Sequence, residues 1–227
     1  KIDPNLEDEK GFNFDLGLRR STGGIIEYDL SFFYLNYSNR IGYSQQYYDE
    51  ESTPVQEPHL IWTTYRFSTN IGDSRTLGLE SYLGFNIIQD KANITGHDLN
   101  LFVNASFQTS KYIASDEKSL LGNKVEFSPD LTMKCGLNYK YKKFTTSLLY
   151  SHTSSQFSDA QNTIVPTQNA LFGEIPAYSV VDISLKYEKK LFMIEMGVNN
   201  FYNESYFTRR ATGYPGPGII PSPGFNL

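Results

Sequence analysis

Phe12-Asn13-Phe14-Asp15-Leu16-Gly17-Leu18-Arg19 carries an apolar side chain at every even position and a polar or small one at every odd position. Side chains leave an extended chain on alternate sides, so a repeat of two describes a strand with one oily face and one wet face. Ser21-Thr22-Gly23-Gly24 then reads as a tight turn, after which Ile26, Tyr28, Leu30, Phe32 and Tyr34 resume the alternation opposite Glu27, Asp29 and Ser31. The pattern returns at Leu77, Leu79, Leu83, Phe85 and Ile87, and again at Leu99, Leu101, Val103, Ala105 and Phe107. Later, Leu131, Met133, Cys135, Leu137, Tyr139 and Tyr141 oppose Thr132, Lys134, Gly136, Asn138 and Lys140. The expectation is an all-β chain of eight antiparallel strands over 12–20, 25–39, 61–88, 98–110, 126–141, 144–157, 177–188 and 191–204, each paired only to its neighbours in sequence.

Many of these segments reach ten residues, beyond the usual strand of about 5–6. A tall wall with one oily and one polar face suits a transmembrane β-barrel, in which about 9–11 tilted residues cross the bilayer and lipid-facing residues alternate with lumen-facing ones. Composition agrees. Aromatic residues make up 15% of the 227, with 17 Tyr and 16 Phe, yet mean hydropathy is −0.42. Tyr34, Tyr37, Tyr139, Tyr141, Tyr150, Tyr178, Tyr187, Tyr202 and Tyr206 lie near strand ends, where rings form interfacial girdles. Connections alternate too: short turns at 21–24, 142–143 and 189–190 and a moderate one at 89–98, against long polar loops at about 40–60, 111–125, 158–176 and 205–227. Periplasmic turns and extracellular loops of outer-membrane barrels show that asymmetry.

Several classes are excluded. No apolar run is long enough for a transmembrane helix or a signal-peptide core. Lys+Arg 20 against Asp+Glu 25 leaves a net charge of −5 and no basic footprint for nucleic acid. Cys135 alone cannot form an internal disulfide. His59, His97 and His152 are too scattered for a metal motif, and Asp49-Glu50-Glu51 with Glu57 lacks the spacing of a calcium loop. No Ser/His/Asp set and no pair of catalytic carboxylates can be placed, so an enzyme is not expected.

Three stretches carry a more specific likeness. Asp3-Pro4-Asn5-Leu6-Glu7-Asp8-Glu9-Lys10 with Asn13-Phe14-Asp15-Leu16-Gly17, then Asn70-Ile71-Gly72-Asp73-Ser74-Arg75-Thr76-Leu77-Gly78-Leu79-Glu80, then Val198-Asn199-Asn200-Phe201-Tyr202-Asn203-Glu204-Ser205-Tyr206 follow in that order. They resemble the late barrel strands of TonB-dependent outer-membrane receptors. The segments from Gln156 to Thr163, Gly173 to Tyr178 and Tyr206 to Pro221 are similar to the ferric dicitrate receptor branch of that family. The resemblance implies that residues 1–227 are a C-terminal portion of a plugged, roughly 22-stranded barrel. It further implies that a signal peptide, a plug domain, the early strands and the final strand lie outside this chain. It implies the bacterial outer membrane as location and a ferric chelate, citrate or a siderophore, as transported ligand, with no intrinsic cofactor. The implied partners are outer-membrane lipid, the protein's own plug domain and a TonB-ExbB-ExbD energising complex reached through the plug.

An anionic chelate calls for cations, because guanidinium groups bind carboxylates through paired charge-assisted bonds. Arg209 and Arg210, preceded by Tyr206, are the densest such pair in a long loop, and Arg66 stands high on a strand. Gln156 and Asn162 could add hydrogen bonds from the top of another strand. Ordinary loop charge and a wet lumen wall are the bland readings of the same residues. Asn199 and Asn200 are expected to tie a strand end to its neighbours. A self-contained eight-stranded barrel with a structural or adhesion role is the alternative function, and a soluble surface-binding β-protein a weaker third. Gly17, Gly78, Gly84, Gly136 and Gly197 on the polar face speak for a wide, occupied lumen.

Overall fold

The computed structural model describes residues 2–48, 54–55, 64–90, 94–168, 170–210 and 219–226; the side chains of 43–48, 54–55 and 64–66 lie outside that description. The strands are β1 (Lys10–Thr22), β2 (Ile26–Tyr48), β3 (Pro54–Val55), β4 (Thr64–Ile88), β5 (His97–Ala114), β6 (Leu131–Tyr141), β7 (Phe144–Thr153), β8 (Gln156–Phe157), β9 (Glu174–Ile175), β10 (Tyr178–Lys189) and β11 (Phe192–Val198). Eight long strands form one antiparallel meander in the order β1-β2-β4-β5-β6-β7-β10-β11, with β3 paired to β2 and β8 to β9 in a separate ribbon. Each long strand pairs only with its sequence neighbours, and the sheet does not close on itself.

The register joins the oily faces into continuous rows. Thr22, Ile26, Phe85, Leu101, Leu137, Leu148, Ile183 and Val198 stand in a line across all eight strands. Directly opposed residues point the same way, so Leu16, Leu30, Leu83, Val103, Leu137, Ile183 and Ile194 share one face. Asp15, Asp29, Glu80, Asn104, Asn138, Asp182 and Glu195 share the other. On that polar face Arg19 pairs with Asp29 across β1 and β2. Two inner glycines have a local cause that the sequence concealed. A Cβ on Gly78 would meet the Phe33 ring at 2.1 Å, and one on Gly136 the Phe102 ring at 2.1 Å. Each glycine is therefore the bed for a ring from the adjacent strand, in addition to any room left for a lumen occupant.

The rings divide between the faces. His97, Tyr141, Phe144, Tyr187 and Phe192 form a row on the oily face at the short-turn rim, with centroid separations of 4.4, 4.9 and 6.2 Å for His97–Tyr141, Phe144–Tyr187 and Tyr187–Phe192. Tyr139 joins it by a 2.7 Å hydrogen bond to His97 Nδ1. Tyr37 and Tyr178 depart from the expected girdle. Tyr37 opposes Gly11 and Ser74 in the polar rows, and Tyr178 lies in phase with Asp182.

Strand lengths also differ from expectation at the long-loop rim. β2 and β4 run 23 and 25 residues, so they project well beyond the span that a bilayer needs. The strand expected from 126 begins only at Leu131, because Phe127 has φ 54° and its N–H donates to the Phe157 carbonyl. The strand expected to reach 204 stops at Val198, where Asn200 and Asn203 adopt φ 51° and 55°. β7 ends at Thr153, and Gln156–Phe157 pairs with Glu174–Ile175 instead of continuing the wall. Residues 61–63, expected to open a strand, lie outside the described residues, as do Asp49, Glu50, Glu51, Glu57 and His59.

Candidate functional site

The long-loop rim has its own interior. Ile71, Tyr112, Leu120 and Val125 form a buried apolar cluster where the projecting ends of β4 and β5 meet the 115–130 connection. Tyr112 is 1% exposed. Its hydroxyl donates to Glu126 Oε2 at 2.7 Å, and burial together with that carboxylate pushes the phenol far above its ordinary range. Tyr112 therefore stays a neutral donor and fixes Glu126. Glu126 Oε1 in turn lies 3.9 Å from the guanidinium of Arg40, which β2 supplies immediately beyond its bulge.

Side-chain clamps bind neighbouring loops together. Asn162, with φ 55°, accepts the Lys124 N–H at 2.7 Å and donates to the Lys124 carbonyl at 2.8 Å, imitating one rung of a β-ladder. Arg210 is 5% exposed and donates to the carbonyls of Gly173, Ala170 and Glu174 at 3.1, 2.9 and 2.6 Å. Phe207 lies 5.2 Å beneath its guanidinium. Burial pulls the Arg210 pKa down and the charge of Asp159 pulls it back up. Asn200, 2% exposed, receives the Glu204 N–H at 2.8 Å and donates to the Glu204 and Pro223 carbonyls, while its own N–H donates to Asp182. Asn199 and Asn226 exchange two backbone hydrogen bonds. The asparagine pair thus ties the end of β11 to its surroundings, as expected.

A cavity of about 360 Å³ opens between these parts, lined by Arg40, Glu126, Phe127, Asp159, Phe172 and Arg210 among others. Two polar atoms buried at this cavity's lining have no hydrogen-bond partner among the described residues: Arg40 Nε, a donor, and Asp159 Oδ2, an acceptor. Buried polar groups are ordinarily satisfied, and each orphan carries a cost of about 1–3 kcal/mol. An unpaired guanidinium N–H and an unpaired carboxylate oxygen in one wall can together bond a polar guest that both accepts and donates.

The six residues expected to meet ligand occupy different environments. Arg209 is exposed, whereas its neighbour Arg210 lines the cavity with its N–H groups already engaged by loop carbonyls. Tyr206 stacks on Tyr178 at 4.4 Å. Gln156 is 9% exposed and held in the β8–β9 ribbon, and the Asn162 amide is engaged by Lys124. Arg66 lies on β4, with its side chain outside the described residues. Arg40 was not among the six. Its place directly after a β-bulge, where a strand re-aims its side chains, was its signal, but nothing in Ser38-Asn39-Arg40 announces a bulge.

A tall, one-sided antiparallel meander with a ring girdle at its short-turn rim and tied loops at the other is the wall of a membrane β-barrel. The chain belongs to the TonB dependent receptor-like β-barrel family, whose profile matches residues 2–201. Among solved structures it is similar to the ferric citrate transporter FecA in unliganded form, with 20% identity over 96% of this chain and 30% of that one, and a TM-score of 0.72. It is also similar to the ferric yersiniabactin uptake receptor FyuA from Yersinia pestis, at 16% identity, 96% and 28% coverage and TM-score 0.66. A third is the copper transporter OprC, at 16% identity, 98% and 30% coverage and TM-score 0.65. The chain thus spans about 30% of the length of FecA. No curated protein matches it by sequence.

Proposed function

We propose that this chain is a C-terminal sector of an outer-membrane receptor that takes up a ferric chelate, ferric citrate or a siderophore complex, by energy-coupled transport. The sector supplies barrel wall and part of an extracellular vestibule, and performs no chemistry on the ligand. A plug domain and the TonB-ExbB-ExbD complex act through parts outside the sector.

The observation that carries this reading is the rim cavity, where Arg40 Nε and Asp159 Oδ2 are buried without hydrogen-bond partners among the described residues beside Arg210. A chelate with carboxylate and hydroxyl groups can satisfy both: its carboxylate accepts from Arg40 and its hydroxyl donates to Asp159. Exposed Arg209 supplies attraction from the loop surface, with Tyr206 beside it and Arg66 as a further cation. Gln156 and Asn162 act by holding the loops rather than by touching ligand. The self-contained eight-stranded barrel is disfavoured, because closing it would require β1 to pair with β11 and the two stand at opposite ends of the sheet.

The test is binding of radiolabelled ferric citrate to the whole receptor in outer-membrane vesicles, with ferric siderophores of other classes and Cu²⁺ alongside. Saturable binding of a ferric chelate that falls about tenfold in Arg40→Gln is expected. Binding of Cu²⁺ alone, with no ferric chelate bound, would overturn the substrate class.

A further inference from the structure

The short-turn rim carries a feature that uptake does not use. Lys140, Lys142 and Lys143 surround the β6–β7 turn, and Lys186, Lys189 and Lys190 surround the β10–β11 turn. β7 and β10 are paired, so the two turns are neighbours. Six of the chain's 20 Lys+Arg residues thus gather on one sector of a protein whose net charge is −5. Lys186 pairs with Glu188 at 3.1 Å, and Lys140 stands opposite Asp98. Lys142, Lys143, Lys189 and Lys190 are exposed and have no ion-pair partner among the described residues. The other two short connections are less basic: 23–25 has no lysine or arginine, with Arg19 and Arg20 on the strand before it and Arg19 paired to Asp29, and 89–96 has one, Lys91, next to Asp90.

The lysines are not simply solvated. Lys142 Nζ lies 5.0 Å from the centre of the Tyr141 ring and Lys189 Nζ 5.9 Å from that of Phe192, both rings in the oily-face row. Leu191, at the tip of the second turn, is 96% exposed beside Lys190. Unpaired ammonium groups edging a ring row on the lipid side of a barrel meet one chemistry there, a phosphate attached to an acyl chain. A soluble acidic partner would reach the lysines but gain nothing from the rings and the leucine.

We propose that the β6–β7 and β10–β11 turns form a binding patch for anionic phospholipid, with Lys142, Lys143, Lys189 and Lys190 holding the phosphate and Tyr141, Phe144, Tyr187 and Phe192 lying against the upper acyl chains. This inference rests on the barrel-wall reading. Its consequence is a receptor that retains phosphatidylglycerol in preference to phosphatidylethanolamine on one sector of its circumference.

Native mass spectrometry of the whole receptor, equilibrated with equimolar phosphatidylglycerol and phosphatidylethanolamine in detergent, tests it. Preferential retention of phosphatidylglycerol is expected, with the preference falling at least about tenfold in the quadruple variant Lys142→Gln, Lys143→Gln, Lys189→Gln, Lys190→Gln. A single lysine near an anionic surface contributes about 1 kcal/mol, roughly fivefold, before screening. The double variant Lys111→Gln, Lys118→Gln at the opposite rim should change nothing. Should the quadruple variant misassemble, Lys142→Gln with Lys143→Gln alone should still lower the preference about threefold. An excess of inorganic phosphate that displaces the lipid completely would assign the patch to free phosphate and overturn the lipid. Equal retention of both lipids, or an unchanged preference in the lysine variants, would also overturn it. Heat-modifiable migration of the same samples reports barrel assembly, so failure of the barrel reading is distinguished from failure of the lipid patch.

Discussion

The wall and the rim of this molecule are held together by different means. In the wall, backbone ladders join eight strands, and most side chains have only to take the correct face, as Leu137 does opposite Leu101 and Leu148; Gly78 and Gly136, each the bed of a ring, are exceptions. At the rim, regular ladders give out and single polar side chains take over. Asn162, Arg210 and Asn200 each satisfy several backbone groups of another segment. A wall built on repetition tolerates substitution within its pattern, whereas a rim built on individual clamps fails one residue at a time.

The largest effect should come from violating the wall's pattern. Leu137→Arg puts a charge on the oily face and should cost roughly 2–4 kcal/mol if the residue lies near the bilayer midplane. Asn138→Arg, one residue away on the polar face, should cost far less. Urea titration of the receptor in lipid vesicles checks both; equal costs would remove the distinction between the faces.

Next comes the rim's strongest clamp. Arg210→Ala strips three carbonyls of a charged donor, with an expected local cost of about 1.5–3 kcal/mol. Hydrogen exchange at the Ser158 and Gly173 amides should quicken while β6 and β7 amides stay protected. Arg209→Ala, at an exposed position, should leave exchange unchanged and weaken anionic-ligand binding only. A global loss of protection in Arg210→Ala would mean that wall and rim are one cooperative unit.

A smaller effect concerns the orphaned donor. Arg40→Gln should weaken chelate binding about tenfold with only a small loss of stability, since Arg40 Nε has no hydrogen-bond partner among the described residues and the guanidinium gives up only its long 3.9 Å pairing with Glu126. The smallest lies in the β4–β5 connection. Backbone N–H bonds from Gly96 and Ile94 hold the Asp90 carboxyl below its ordinary value of 3.8. Its folded pKa being depressed, Asp90 contributes order to the turn above that value, and the contribution is lost as pH falls through the folded pKa. Exchange at the Gly96 amide, corrected for intrinsic rates, should rise below about pH 4 in the wild type and not in Asp90→Asn.

What could be read from the sequence follows the same division. The repeat of two in Phe12–Arg19 or Leu131–Tyr141 is a property of composition along a line, so facing, order and neighbour pairing were all legible before any coordinates. The rim is written in single residues whose partners lie far along the chain, 37 positions from Arg210 to Gly173 and 38 from Asn162 to Lys124. Arginines in a loop look alike in a sequence, and only the carbonyls of Ala170, Gly173 and Glu174 separate Arg210 from Arg209. The strand ends at Val198 and Leu131 are not legible in the sequence, because left-handed Asn200 and Phe127 break the ladder without disturbing the polar composition around them.

The central claim is that one face of this wall meets lipid along its whole width. Single nitroxide labels at each position from 131 to 141 of β6 in the vesicle-embedded receptor, relaxed by oxygen dissolved in the bilayer, test it most directly. Positions 131, 133, 135, 137, 139 and 141 should show high oxygen collision rates, with 132, 134, 136, 138 and 140 low, in a strict period of two. A reversed phase, or a profile without alternation, would contradict the claim.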